Sequence, residues 1–163
     1  MKLLSFKIFP VLLAVCAIIA IPVFALVTLQ KPVPCGTDHI ALLRTPTQTL
    51  GVSVAITPQE RARGLGGCAM LARKTGMYFP LSAAGVQTFW MKDMLIPIDI
   101  VWLSKGKVVG VTANVPPPEP DTKDSLLTTY QNPHQDVDAV LEVGAGNAKA
   151  YGLTIGAQVV LVN

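Results

Sequence analysis

Residues 88–103, TFWMKDMLIPIDIVWL, decide how this chain folds. The run sets an aromatic pair, a lysine and two aspartates inside an otherwise apolar stretch, and polar groups buried in such a stretch must be paired or functional. Thr88 to Lys92 and Ile98 to Leu103 have the apolar density of buried strands, and Ser104-Lys105-Gly106-Lys107 supplies a tight turn into Val108 to Val115. Asp99 lies between Ile98 and Ile100, so in a strand its carboxylate projects to the face opposite both neighbours. It must meet a ligand site, a cation or a backbone donor there. Phe89 and Trp90 likewise take opposite faces, one filling the core and the other lining a groove.

Upstream of this run, Ile40 to Arg44 and Thr49 to Thr57 flank a Pro46-Thr47-Gln48 turn and predict a first hairpin. Thr57-Pro58-Gln59-Glu60 has the composition of a helix start: an N-cap threonine, proline at the first helical position and glutamate at the third. Gly64 is the expected stop, and the four glycines from Gly64 to Gly76 read as loop before a strand from Met77 to Pro80. Pro116-Pro117-Pro118-Glu119-Pro120 cannot enter a central sheet and is expected to run extended over the surface. After a polar stretch from Asp121 to His134, Val137 to Val143 reads as strand, Asn147 to Tyr151 as a short helix ended by Gly152, and Ala157 to Val162 as a closing strand paired with an early one. Many short strands, two short helices and no βαβ rhythm predict a β-dominated α+β fold: a curled antiparallel or mixed sheet, or a small barrel, preceded by an N-terminal apolar helix.

The chain has 163 residues, 51% of them hydrophobic and only 14% charged. Much of the apolar excess lies at the N-terminus, where Lys2 and Lys7 precede an uncharged run from Ile8 to Leu29. Residues 1–30 therefore form either a signal peptide, with cleavage conceivable after Ala25, or an uncleaved membrane anchor. Either route places the rest outside the cytoplasm, periplasmic or secreted, with membrane contact through the N-terminal segment if it is retained. Residues 31–37 form a stem, and residues 38–163 a single globular domain long enough to bury its own core. The formal charge of +3 is scattered rather than gathered in a stripe, which disfavours nucleic acid as a partner. Cys35 and Cys68 lie in the exported part; they are either a disulfide or two separate thiols. The absence of a CxxC pair disfavours redox catalysis and zinc, and no motif names a cofactor.

Three segments carry a family resemblance: Thr57 to Gly64 (TPQERARG), Phe89-Trp90-Met91-Lys92 with Pro97-Ile98-Asp99-Ile100, and Leu141 to Gly156 (LEVGAGNAKAYGLTIG). Over roughly Thr49 to Leu161 the chain resembles the domain of unknown function 192 (DUF192) family, a group of small, often exported domains. The resemblance implies membership and names no activity. Where the family usually has asparagine and threonine after the lysine, this chain has Asp93 and Met94. Where it usually has methionine and arginine after the early helix, this chain has Gly66-Gly67-Cys68.

Candidate chemistry gathers around Arg61, Arg63, Trp90, Lys92, Asp93 and Asp99, whose aromatic and charged groups of mixed sign suit a small polar or saccharide ligand. Each has a structural alternative: an ion pair or turn for Asp99 and Lys92, core packing for Trp90, solvated helix charges for the arginines. His134, Asp136 and Asp138 would share one face of an extended chain, a spacing that fits a solvated strand entry better than a metal site. No nucleophile-elbow pattern supports a hydrolase triad. The first expectation is thus a binding or accessory module for a small polar ligand, saccharide or envelope component. The alternatives are an envelope hydrolase working through paired carboxylates such as Glu60 or Asp93 with Asp99, and a structural module that binds another protein.

Overall fold

The computed structural model describes Cys35, residues 40–132 and residues 136–162. The proposed signal or anchor, with the N-terminal apolar helix, and all of the stem but Cys35 lie outside the described residues, as does His134. Among the described residues no helix is long and apolar enough to cross a membrane.

The chain begins with the expected hairpin, β1 (Ile40–Arg44) against β2 (Thr49–Val54), in antiparallel register. Helix α1 (Pro58–Arg63) starts as its sequence dictates: the Thr57 hydroxyl accepts from the Glu60 N–H at 3.2 Å, and the Glu60 carboxylate accepts from the Thr57 N–H at 2.7 Å. After the glycine-rich loop comes β3 (Thr75–Gly85), much longer than its apolar start suggested. Next come β4 (Thr88–Trp90), β5 (Ile98–Ser104) and β6 (Lys107–Val115), the last two forming the hairpin read from the sequence. Lys105 and Gly106 both take positive φ in its turn, the conformation that matches the twist of paired strands. The polar stretch after the prolines holds a 3-10 turn (Asp124–Leu126) and an unforeseen β7 (Thr129–Gln131). The chain then forms β8 (Val137–Gly144), α2 (Asn147–Ala150) and β9 (Val160–Val162), which pairs with β1 as expected of a closing strand.

Seven strands make one sheet in the order β6-β5-β8-β3-β2-β1-β9, and β4 with β7 makes a separate ribbon. Within the sheet only β2 and β3 are parallel. A parallel pair requires a long crossover, and the segment containing α1 and the glycine-rich loop supplies it, the one βαβ unit that the strand-rich pattern concealed. The barrel alternative is corrected: the start of β6 meets residues 156–159, just before β9, through the isolated Lys107–Gln158 bridge and the backbone bonds of Gly106 and Val108, and no ladder joins β6 to β9, so the sheet curls without closing. The chain between α2 and β9 is spent in turns, and the three residues left for β9 are taken by β1.

Both faces of the sheet are covered. Every residue of β5 is buried, as a strand covered on both sides requires. Leu43, Leu50, Val52, Val101, Leu141 and Val143 belong to one core inside the curl, beneath Ala148 and Leu153. Met77, Phe79, Ile100, Trp102 and Val140 form the second core on the opposite face, under Leu65, Cys68 and Met91. The β4–β7 ribbon roofs this second face. That corrects the expectation that Thr88 to Lys92 is a buried strand: β4 ends at Trp90 and lies outside the seven-stranded sheet, with Thr88 and Trp90 exposed. Phe89 stands edge-on to Phe79 and Trp102, with ring centroids 5.2 and 5.6 Å away, and Trp90 beside it points outward. Cys35 and Cys68, with Cα atoms 5.3 Å apart, are joined as a disulfide that ties the stem to the glycine-rich loop over this face.

Candidate functional site

The strand pairing sorts the charged residues of the core onto two faces. Asp99 lies opposite Val143 on β8, whereas Ile100 lies opposite Glu142. Since alternate residues of a strand face opposite ways, Asp99 enters the core inside the curl and Glu142 the core beneath the ribbon. Asp99 is 1% exposed, and three backbone N–H groups converge on its carboxylate: those of Asn114 at 2.8 Å, Gly146 at 3.1 Å and Ala148 at 2.9 Å. It anchors β6 and the start of α2 to β5. Of the partners considered for it, the structure supplies backbone donors.

Glu142 is the contrasting case. It is only 5% exposed, yet its Oε2 is buried without a hydrogen-bond partner. Burial alone pushes its carboxyl up to about 8, so the group is mostly protonated at neutral pH. Glu142 lines a recess of about 30 Å³ together with Arg61, Arg63, Phe79, Phe89 and Lys92. The recess adjoins an open cleft of about 540 Å³ between α1, the outer half of β3 and β4, and Arg61, Phe79, Phe89 and Trp90 line both. Ser82, Gln87 and Thr88 add polar groups to the cleft wall. Trp90 is 46% exposed, so the aromatic surface is offered to solvent and is not core packing.

Local sequence explains how these side chains are presented. The capping box orients α1 so that Arg61 faces the cleft, and the Arg61 guanidinium donates to the carbonyl of Ile56, just before the helix. At Gly66 a Cβ would lie 2.8 Å from the Arg63 carbonyl oxygen and 3.3 Å from that of Lys92, so only glycine lets the loop pack against the turn after β4. The Lys92 ammonium bonds the Asp124 carboxylate and sits 5.7 Å from the Trp90 ring centroid. The Asp124 hydrogen bond and charge raise Lys92 above the usual lysine value. Lys92 thus links the ribbon to the segment after the prolines.

Of the six residues expected to share a groove, Arg61, Arg63, Trp90 and Lys92 meet around the recess. Asp93 takes a left-handed φ of 56° and lines a different groove, about 730 Å³, against Pro116 to Pro120. Asp99 lies on the other face of the sheet. Asp136 accepts from the Ser104 hydroxyl at 2.9 Å and Asp138 from the Lys105 N–H at 2.9 Å, so both brace the β5–β6 turn. Among the described residues no group of three or more potential ligands could hold a metal ion. Glu142 was missed as a site residue, although its signal matches that of Asp99: a carboxylate between Leu141 and Val143 in a buried strand.

The fold defined by these elements is a curled, mixed seven-stranded sheet roofed on one face by a two-stranded ribbon. The sequence profile of the DUF192 family, described as "Uncharacterized ACR", matches residues 41–161, and the chain belongs to that family. Two crystal structures share the fold at a TM-score of 0.64 and 24% identity. One is a protein from Sinorhizobium meliloti 1021 proposed to be a transcription regulator; the match covers 75% of this chain and 92% of that one. The other is a protein of unknown function from Novosphingobium aromaticivorans DSM 12444, with 80% of this chain and 94% of that one covered. At that identity the likeness establishes the fold alone. No curated protein matches significantly.

Proposed function

We propose that this protein is an exported binding module whose cleft beneath the β4–β7 ribbon takes a small polar ligand of the saccharide class. The observation that carries the proposal is the orphaned Oε2 of Glu142 at a recess that adjoins an open cleft. A buried polar atom without a partner costs about 1–3 kcal/mol, and proteins retain that cost where a bound molecule removes it. The ligand class follows from the surroundings. Trp90 presents a half-exposed apolar ring for the face of a sugar, and Arg61, Gln87, Thr88 and Ser82 offer polar groups around it. Among the described residues Glu142 is the only carboxylate that lines cleft or recess, which favours binding over a hydrolase that needs two.

Export rests on the apolar run from Ile8 to Leu29 and on the Cys35–Cys68 disulfide, a bond that persists in oxidising compartments. The domain acts on the outer side of the membrane, tethered by that run or released after cleavage.

Tryptophan fluorescence tests the binding proposal, because Trp102 is fully buried and Trp90 is the tryptophan that faces the cleft. A saturable change on titration with saccharides, absent in Trp90→Ala, is the expected result. A flat response across mono- and oligosaccharides, with the protein folded, would sink the proposal.

A further inference from the structure

We infer that the recess at Glu142 holds the exocyclic hydroxymethyl group of a hexopyranoside whose ring lies against Trp90. The inference rests on the cleft being a saccharide site and adds which part of the sugar is read there.

Size sets the first limit. A recess of about 30 Å³ admits one or two heavy atoms, since a single water needs roughly 10–15 Å³ on the same measure. A sugar ring must stay in the 540 Å³ cleft. Ring hydroxyls extend one heavy atom from the ring, whereas the hydroxymethyl group extends two and reaches furthest into a narrow hole.

Chemistry sets the second limit. The neutral carboxyl of Glu142 donates through its O–H and accepts through its other oxygen, and an alcohol oxygen can accept the one and donate to the other. Phe79 and Phe89, which line the same recess, give the methylene an apolar wall.

Charge sets the third. An ammonium group in the recess would meet Arg61, Arg63 and Lys92 around its lining, a like-charge arrangement that opposes entry. A carboxylate or phosphate brings at least three heavy atoms to a space sized for fewer. The uncharged primary alcohol satisfies all three limits.

The test uses the full chain and methyl glucoside, methyl galactoside and methyl mannoside, each beside its 6-deoxy, 6-amino and uronic acid analogue. Trp90 fluorescence reads occupancy of the cleft, and the Glu142 carboxyl ¹³C resonance reads occupancy of the recess. At least one parent glycoside is expected to bind about tenfold or more tightly than its 6-deoxy analogue, the loss of one buried hydrogen-bonding group. The Glu142 resonance moves with it. In Glu142→Leu, which removes the carboxyl and keeps the core filled, that tenfold gap disappears while the Trp90 response to the 6-deoxy sugar remains. Equal binding of parent and 6-deoxy sugars to the native chain, with Trp90 responding, overturns the inference and leaves the cleft proposal standing. Tighter binding of a 6-amino or uronic acid analogue overturns it in favour of a charged group. If no glycoside alters Trp90, both fall.

Discussion

Asp99 and Glu142 sit on neighbouring strands, each between apolar residues in sequence and both almost fully buried, yet the protein treats them in opposite ways. Asp99 collects three backbone N–H groups that β6, the turn after β8 and the start of α2 would otherwise leave unpaired. Glu142 has an oxygen with no partner and a carboxyl driven towards its neutral form. A satisfied buried carboxylate is architecture, because its removal orphans the donors aimed at it. An unsatisfied one is a standing cost to the fold, and the proposed ligand is the partner that would remove it.

The contrast breaks most visibly at Asp99. Asp99→Ala leaves the N–H groups of Asn114, Gly146 and the buried Ala148 without their charged acceptor, and chemical denaturation should show a loss of roughly 4 kcal/mol or more. An unfolding free energy within about 1 kcal/mol of the parent chain would show that the Asp99 bonds are replaceable, and the contrast would collapse.

Next in size is the crosslink on the Glu142 face. Cys35→Ser should cost about 3 kcal/mol of stability under oxidising conditions, in line with a bridge between residues 33 apart. Reductant should lower the melting temperature of the parent chain and leave the Cys35→Ser, Cys68→Ser double variant unmoved. Two titratable thiols in the native protein under non-reducing conditions would remove the bridge.

Glu142 sharpens the comparison through pH. Its carboxyl lies near 8 in the folded chain against an ordinary value of 4.5, so between those limits the folded state holds a proton that the unfolded state has released. Its contribution to stability is therefore complete below about 4.5, declines as pH rises and is lost above about 8. Glu142→Gln cannot ionise, and should gain on the order of 2 kcal/mol over the parent chain between pH 5 and pH 6.5. Parallel stability profiles for the two proteins would show that the recess hydrates Glu142 as bulk water does. The smallest expected effect is at Trp90: exchange for alanine should change stability by less than about 1 kcal/mol while abolishing ligand-dependent fluorescence.

Local patterns made several of these features legible. The Thr57–Glu60 capping box, the β1–β2 and β5–β6 hairpins and the short α2 were all readable, because caps, turns and alternation act over a few residues. The extent of the run after Thr88 was misread: β4 is three residues long and leaves the main sheet. Aromatic density looks the same in a sheet strand and in a ribbon laid over one, and β7, its partner, lies in a polar stretch with no apolar alternation. The site was half legible. Arg61, Arg63, Trp90 and Lys92, grouped from the sequence, line one recess; Asp93 lines a different groove, Asp99 lies on the other face of the sheet, and Glu142 was overlooked.

By itself the sequence determined the β-dominated composition, the family, the element starts and the presence of carboxylates in buried strands. Each follows from chemistry local to a few residues. Which carboxylate is satisfied was decided only in three dimensions. Strand register sends Asp99 and Glu142 to opposite faces, the crossover through α1 brings Arg61 over one of them, and the ribbon sets Trp90 at the rim of the cleft. Those placements depend on pairings between residues far apart in the chain, and local periodicity carries no record of them.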